Sequence, residues 1–581
     1  MSDCLFNQQP REGKHICQAM GPPRNFKHSG RGKKHKNEQK PLTTQEDFYL
    51  AAIDCEEQAD RWLLSDVKKC LRFYLKALEH YENGLGALGS TPEGKYNIYY
   101  NETRLFLQIY TDYLANNGYI DILQYVKMDD MPDLSSLVLS LPQITQRFEI
   151  VYETFPQQRT WDLQFNLLTC YLTLLESMDD VSLANVPFEG SDILNMTNKY
   201  IEIFQHLVGY LLQELQGWSD SPPQQEASDA DLGLQRDTLD EDAEHITRDG
   251  TGIRTNGQSE PQAETMDVSE QITPSSLTDV LVNSLKFNHA LVELIIESKI
   301  SSEKHPEKEI LNPVQANFLE DTTDKFFSQL TDIIDSISTK IPVDLKEIGL
   351  VKTLIRGSQI VGSGDLESLQ GFVLETASLA DLLDDNDVQG RIDLSLIRVD
   401  IVEFSISCLR ERSSEAGWKL SSLLNKVLTE TRSLLTNQRN HIIFVKNQIL
   451  NEQLSHVTFQ LCDVLVNSSD NELRRYAIKR SSGLQQTPEE ARTLEILMKN
   501  ANVFLSNAVA ISSKPCGLQE TIIDKLKRNY IHNQAKERLF FLQHLEQNFN
   551  GGNGDDAVAS SSPSTLKFDM PPDHPFYSHY F

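Results

Sequence analysis

The chain has 581 residues, 24% of them charged and 39% hydrophobic, which is enough for several folded domains or one long solenoid. A formal net charge of −30 argues against a general affinity for nucleic-acid phosphate; it reads either as a solubilising charge that keeps a long helical protein in solution or as a match for a basic protein partner. Eight cysteines without a CxxC pair fit a reducing compartment, and no signal-length or membrane-length apolar run occurs, so the expectation is cytoplasm and/or nucleus, without membrane.

Residues 1–42 hold Pro10, Gly13, Gly21, Pro22, Pro23, Gly30 and Gly32 among polar and basic residues, with no apolar periodicity. They read as a disordered basic arm. Within it Arg31, Lys33, Lys34 and Lys36 read equally as a nuclear import signal, an RNA-touching tail or a solvated basic tail.

Helical periodicity starts near Thr44 and defines a domain over 43–217. Phe48, Ala51, Ala52, Cys55, Ala59, Trp62 and Leu63 form one stripe; Val67, Cys70, Leu71, Tyr74, Ala77, Leu78, Tyr81 and Leu85 form a second, after Ser65 and Asp66. Two such helices joined by a short polar turn make an antiparallel hairpin. Further helical material is expected at 96–127, 135–155, 158–178 and 190–216. Between Asp220 and Gln271 there are 14 acidic residues against 3 arginines, so 218–273 is expected as a disordered acidic linker. A second helical block spans 274–548, with segments at 275–299, 312–338, 343–361, 364–384, 391–411, 413–437, 438–467, 470–481, 487–512 and 517–548. Ile392 to Val402 is rich in branched residues, but its length favours helix over strand. The tail 549–581 begins as a Gly- and Ser-rich linker and ends in the aromatic cluster Pro571 to Phe581, either loose or docked.

The run Trp62-Leu63-Leu64-Ser65-Asp66 through Cys70, Tyr74 and Lys76-Ala77-Leu78-Glu79 resembles the centre of a tetratricopeptide repeat, with Ser65 where glycine is usual. The small residues Cys70 and Ala77 permit close helix approach, while Tyr74 fills the gap to the next hairpin. Phe155-Pro156 resembles the family's proline-terminated repeats, Trp161 then starts another helix, and Phe165-Asn166 echoes Tyr100-Asn101. The resemblance implies an all-α fold, a right-handed superhelical array of antiparallel helix hairpins, packed through Trp62, Cys70, Tyr74, Ala77, Leu78, Tyr81, Tyr100, Pro156, Trp161 and Phe165. The stretch Asp47-Phe48-Tyr49 through Cys55 to Trp62 and on to Leu71-Arg72-Phe73-Tyr74 is also similar to poorly characterised fungal proteins, which implies little about activity. A competing resemblance, to three-helix microtubule-interacting modules, rests on Tyr74 and Ala77 and leaves the hairpins after residue 96 unexplained.

The sequence carries no catalytic motif. Gly357 to Asp365 lacks the lysine of a nucleotide loop and reads as a helix-ending loop. Cys4, His15, Cys17 and His28 have the wrong spacing for a zinc knuckle, and Cys55, Cys70, Cys170 and Cys462 fall on apolar stripes as small core residues. No enzyme activity, cofactor or metal is expected. The functional expectation is a protein-binding scaffold or adaptor using a helical-repeat groove. The alternatives are an acidic escort chaperone for a basic client such as a ribosomal protein, and an RNA-associated factor using the basic arm. A chaperone-tail clamp is not expected, because the corresponding groove positions hold Cys55 and Ala59.

Overall fold

The computed structural model describes residues 42–551 except 64, 88–89, 116–122, 124–125, 127–130, 178–188, 220–271, 305–309, 376–386, 410–412, 445–452, 482–486 and 518–519. The basic arm with Arg31, Lys33, Lys34 and Lys36, the body of the acidic linker and residues 552–581 lie outside the described residues. Among the described residues every long element is a helix and none is a strand, including Ile392 to Val402.

Local chemistry starts many of these helices. Thr44 opens α1 (Gln45–Trp62) with a capping box to Asp47, Asp66 caps α2 (Val67–Leu85) through the Lys69 amide, and Thr91 with Pro92 opens α3 (Pro92–Ile109). Helices α1 and α2 run antiparallel: the Tyr74 hydroxyl donates to Asp60 at 3.1 Å, the Tyr81 hydroxyl donates to Glu56, and Gly84 lies against Phe48. The end of α3 widens into a π-helical turn, Tyr110–Ala115, and most of the segment expected to continue it to 127 lies outside the described residues. The segment expected at 135–155 is divided: Pro132–Leu137 is a 3-10 turn, and α4 (Leu141–Thr154) starts only after Ser140, with Pro142 in its first turn. Helices α5 (Trp161–Glu176) and α6 (Gly190–Ser219) follow.

Beyond residue 271 the chain resumes with α7 (Pro274–Lys304), α8 (Pro313–Ile337), α9 (Leu345–Ser363) and the short α10 (Leu366–Leu374). The buried apolar side chains on either side of 220–271 belong to one core. Tyr200 of α6 stacks on Phe287 of α7 with ring centroids 3.7 Å apart and donates to Asn283 at 2.6 Å. Asn283 in turn donates to Thr169 of α5 at 3.2 Å. Helices α6 and α8 run in the same direction, since Gly190 meets Gln315, Phe204 meets Phe326 and Gln205 meets Gln329.

The C-terminal part consists of α11 (Val388–Leu409), α12 (Ser414–Phe444), α13 (Gln453–Ser481), α14 (Pro488–Ser512) and α15 (Ile522–Gly551). Three expectations need correction here. Helix α12 does not break at 437 but continues to Phe444. The segments 438–467 and 470–481 are not separate helices: α13 runs unbroken across Asn467-Ser468-Ser469-Asp470-Asn471, a polar run that reads as a turn. Several of its polar groups find partners inside the fold: Ser468 donates back to Val464 at 2.6 Å and Asn471 donates to the Ser421 carbonyl at 2.9 Å. Nor is Gly357 part of a loop. It lies within α9, where the close approach of α11 leaves no room for a side chain, since a Cβ there would sit 2.3 Å from Ile401 Cδ1; the helix ends at Gly364, whose φ of 72° is the left-handed stop.

Candidate functional site

The residues singled out by the resemblance lie mainly inside. Cys70, Tyr74, Ala77, Leu78 and Tyr81 are buried between α2 and its neighbours, and Tyr100 and Trp161 are buried further along. Trp62 is half-buried with the Lys69 ammonium over its ring, Phe165 is half-buried against Trp161, and Pro156 is exposed just after α4. Tyr74 ties three helices together: its hydroxyl donates to Asp60 of α1 and accepts from Gln108 of α3 at 3.1 Å. The two aromatic-asparagine steps also meet. Asn166 of α5 donates to the Tyr100 hydroxyl at 3.0 Å, and Asn101 of α3 donates to the Tyr49 hydroxyl of α1 at 3.4 Å.

Several buried ionisable groups are paired. Glu56 pairs with Arg104, Glu102 with Arg147 at 3.3 Å, and Asp470 with Arg538 at 3.2 Å. Glu472 receives Arg475 at 2.8 Å and the Asn500 amide at 3.2 Å. Burial pushes the Cys70 thiol up to about 11 and the Cys462 thiol up to about 12, with Cys170 raised further for the same reason. Such thiols stay protonated at neutral pH and are poor nucleophiles. Among the described residues no group of three or more His, Cys, Asp or Glu is arranged to hold a metal ion. No helix among them is long and apolar enough to cross a membrane. Cys4, His15, Cys17 and His28 lie outside the described residues.

The surface offers a different kind of site at the start of α8. That helix buries Ala316, Leu319, Phe326, Leu330, Ile334 and Ile337, which leaves Val314 and Phe318 on its outer side. Val314 is 78% exposed, Phe318 53% and the preceding Ile310 41%. Val314 and Phe318 are one helical turn apart and so share a face. Glu320, Asp321 and Asp324 follow on the same helix; Lys299 and Lys325 pair with the first two at 2.7 and 2.5 Å. Val314 and Phe318 are therefore open to solvent, and the paired Asp321 and Lys325 continue their face of the helix. Sequence reasoning missed these residues. Val314 and Phe318 are apolar but lie off the buried stripe that Leu319 and Phe326 define, and that mismatch was the available signal.

Comparison with known proteins gives a match to the YNL193W-like protein middle domain over residues 184–363 and to the YNL193W C-terminal domain over residues 384–581. The first match groups α6 with α7 to α9, as their packing does. The chain is similar to the "Uncharacterized protein YNL193W" of Saccharomyces cerevisiae (strain ATCC 204508 / S288c), with 76% identity over 562 residues, 97% of this chain and 100% of that protein. No solved structure matches. The chain, all-helical in its described residues, belongs to the fungal YNL193W-like family.

Proposed function

We propose that the chain is a non-enzymatic protein-binding scaffold of the cytoplasm and/or nucleus, built as a tetratricopeptide-like array and seating a basic, partly apolar segment of a client on the outer face of α8. The observation that carries this reading is the exposed set Ile310, Val314 and Phe318 at the start of α8. Large apolar side chains grouped on a solvent-facing helix turn gain nothing in water and are typical of docking surfaces. A net charge of −30 adds long-range attraction for a basic client, so an escort role for such a protein is the form of scaffold that the charge favours. The repeated asparagine-to-tyrosine bond, Asn101 to Tyr49 and Asn166 to Tyr100, supports the repeat character of the N-terminal helices.

Affinity purification from cells at low and high salt tests the proposal. The wild-type chain is expected to recover basic proteins that are released as salt rises. The double change Val314→Asp with Phe318→Asp is expected to lose them while melting at an unchanged temperature, because both side chains face solvent. Recovery of the same proteins by both chains would overturn the assignment of the site.

A further inference from the structure

Acids from three helices gather around Asp400. That residue is half-buried on α11, between the buried Val399 and Ile401. The groups whose charge acts on it are Glu403 one turn on, Glu293 of α7 and Asp463 of α13, and together with burial they push its carboxyl well above the usual carboxylate range. No lysine or arginine stands three or four residues from any of these four acids. The one basic side chain at that spacing is His289, 3.0 Å from the Ser358 hydroxyl of α9 and 3.7 Å from Glu293. Cations further along the same helices are drawn to other acids: Arg398 to Glu430 of α12 at 3.3 Å, Lys286 to Glu347 at 3.9 Å and Lys299 to Glu320 at 2.7 Å. Arg398 is two residues, and so about half a turn, round α11 from Asp400.

A second observation lies on α13. Gln460 precedes Asp463 by one turn and Asn467 follows it by one, so the three share a face, which is half-buried at Asp463 and Asn467. Helical side chains lean toward the N-terminus, which carries the Asp463 carboxylate over the turn that holds Gln460. Gln460 is 5% exposed, and its amide oxygen is buried without a hydrogen-bond donor. Folded chains seldom leave a buried acceptor in that condition. The recess thus combines a negative field with an acceptor that wants an N–H.

We propose that the recess around Asp400 binds an alkylammonium or guanidinium group, as carried by a lysine or arginine side chain or by a free polyamine. An ammonium brings three N–H donors and a positive charge on a narrow stem, which answers both the carboxylates and the Gln460 oxygen. A metal ion is a poorer fit, since among the described residues no group of three or more His, Cys, Asp or Glu is arranged to hold one. The site shares no residue with the α8 face.

The test uses the full chain at fixed ionic strength, with spermidine read by calorimetry and a short labelled peptide of Lys, Ser and Gly read by anisotropy. Binding in either arm is expected to weaken about tenfold or more with Asp400→Asn and with Asp463→Asn. Asp332→Asn, which removes one exposed charge of α8, is expected to leave it unchanged. Neither recess variant is expected to melt below the wild type, because each takes a carboxylate out from among like charges. A lower melt in both would mark the acids as structural and overturn the proposal. Spermidine binding alone assigns the site to a free polyamine, and peptide binding assigns it to a basic protein segment. No binding in either arm would overturn the proposal. Equal binding by wild type and Asp400→Asn would do so too, as the general attraction of a chain of charge −30 for cations. Magnesium binding tighter than spermidine binding, and lost in Asp400→Asn, would overturn it in favour of a metal site. The chain with Val314→Asp and Phe318→Asp is expected to keep this binding, so failure here and failure of the α8 assignment are told apart.

Discussion

Tyr200 on α6 lies flat against Phe287 on α7, with ring planes 5° apart and centroids 3.7 Å apart, although 86 residues of chain separate them. The same tyrosine donates to Asn283, and Phe326 of α8 meets its ring edge-on. The helices on either side of residues 220–271 are thus fastened by apolar contact. Cleavage within 220–271 is expected to leave two fragments that co-elute in size exclusion and separate only in denaturant. Tyr200→Ala is expected to lower stability by roughly 3–5 kcal/mol, as aromatic deletions from cores do. Tyr210→Ala, on an exposed position of α6, should cost well under 1 kcal/mol, as ordinary surface changes do. Fragments that separate in buffer without denaturant would contradict the shared core.

The helices were legible in the sequence wherever the cue was local. The Thr44, Asp66 and Thr487 caps and the stripes of α1, α2 and α14 announce themselves within a few residues. Helix α13 was not legible across its middle because the partners of its polar run are remote: Ser421 lies 50 residues before Asn471, and Arg538 lies 68 after Asp470. A polar pentapeptide with no knowledge of those partners is indistinguishable from a turn. The packing of α6 on α7 was hidden for the same reason. Periodicity reports which face is apolar and not which neighbour covers it. The outer apolar residues of α8 were not legible as a surface, because periodicity marks the buried stripe and says nothing of apolar residues beside it.

The pair Asp470 and Arg538 makes a sharper energetic prediction. Arg538 is 1% exposed at its side chain and Asp470 11%, and Gln534 on the arginine's own helix accepts from its guanidinium at 2.6 Å. Replacing Asp470 by Ala strands a buried guanidinium, and a loss of roughly 3–5 kcal/mol is expected in urea unfolding. The double change Asp470→Leu with Arg538→Met removes both charges and should recover much of that loss. A double variant no more stable than the single one would mean that the pair is not the reason for the cost.

The first hairpin offers a register test. Tyr74 is fully buried, while Lys76 two residues on is exposed, with its ammonium 5.4 Å from the Phe73 ring centroid. Tyr74→Ala also strands the hydrogen-bonding groups of Gln108 and Asp60. A destabilisation of roughly 3–5 kcal/mol is expected for Tyr74→Ala and less than about 1 kcal/mol for Lys76→Ala. Thermal melts of the full chain distinguish them, and equal effects would contradict the burial of the tyrosine.

A pH-dependent contribution comes from Asp112 in the π-helical turn after α3. Burial pushes its carboxyl up to about 6, the nearby Asp60 adds to the rise, and Lys527 of α15 opposes it. The unfolded value is about 4, so between about pH 4 and 6 the folded chain binds the proton more tightly than the unfolded one. Stability from this group is therefore fully present below about pH 4 and is lost as pH rises through about 6, the reverse of an ordinary salt-bridged carboxylate. Asp112→Asn removes the titration while keeping the shape of the side chain. Relative to that variant, the wild type is expected to lose stability as pH rises from about 4 to about 7, with the change centred between the two carboxyl values. Urea titrations of both chains at several pH values measure this difference directly, with all other titrating groups held in common. A difference that does not change with pH would show that Asp112 is ionised as readily in the folded chain as in the unfolded one, and a change in the opposite direction would show that it is ionised more readily there.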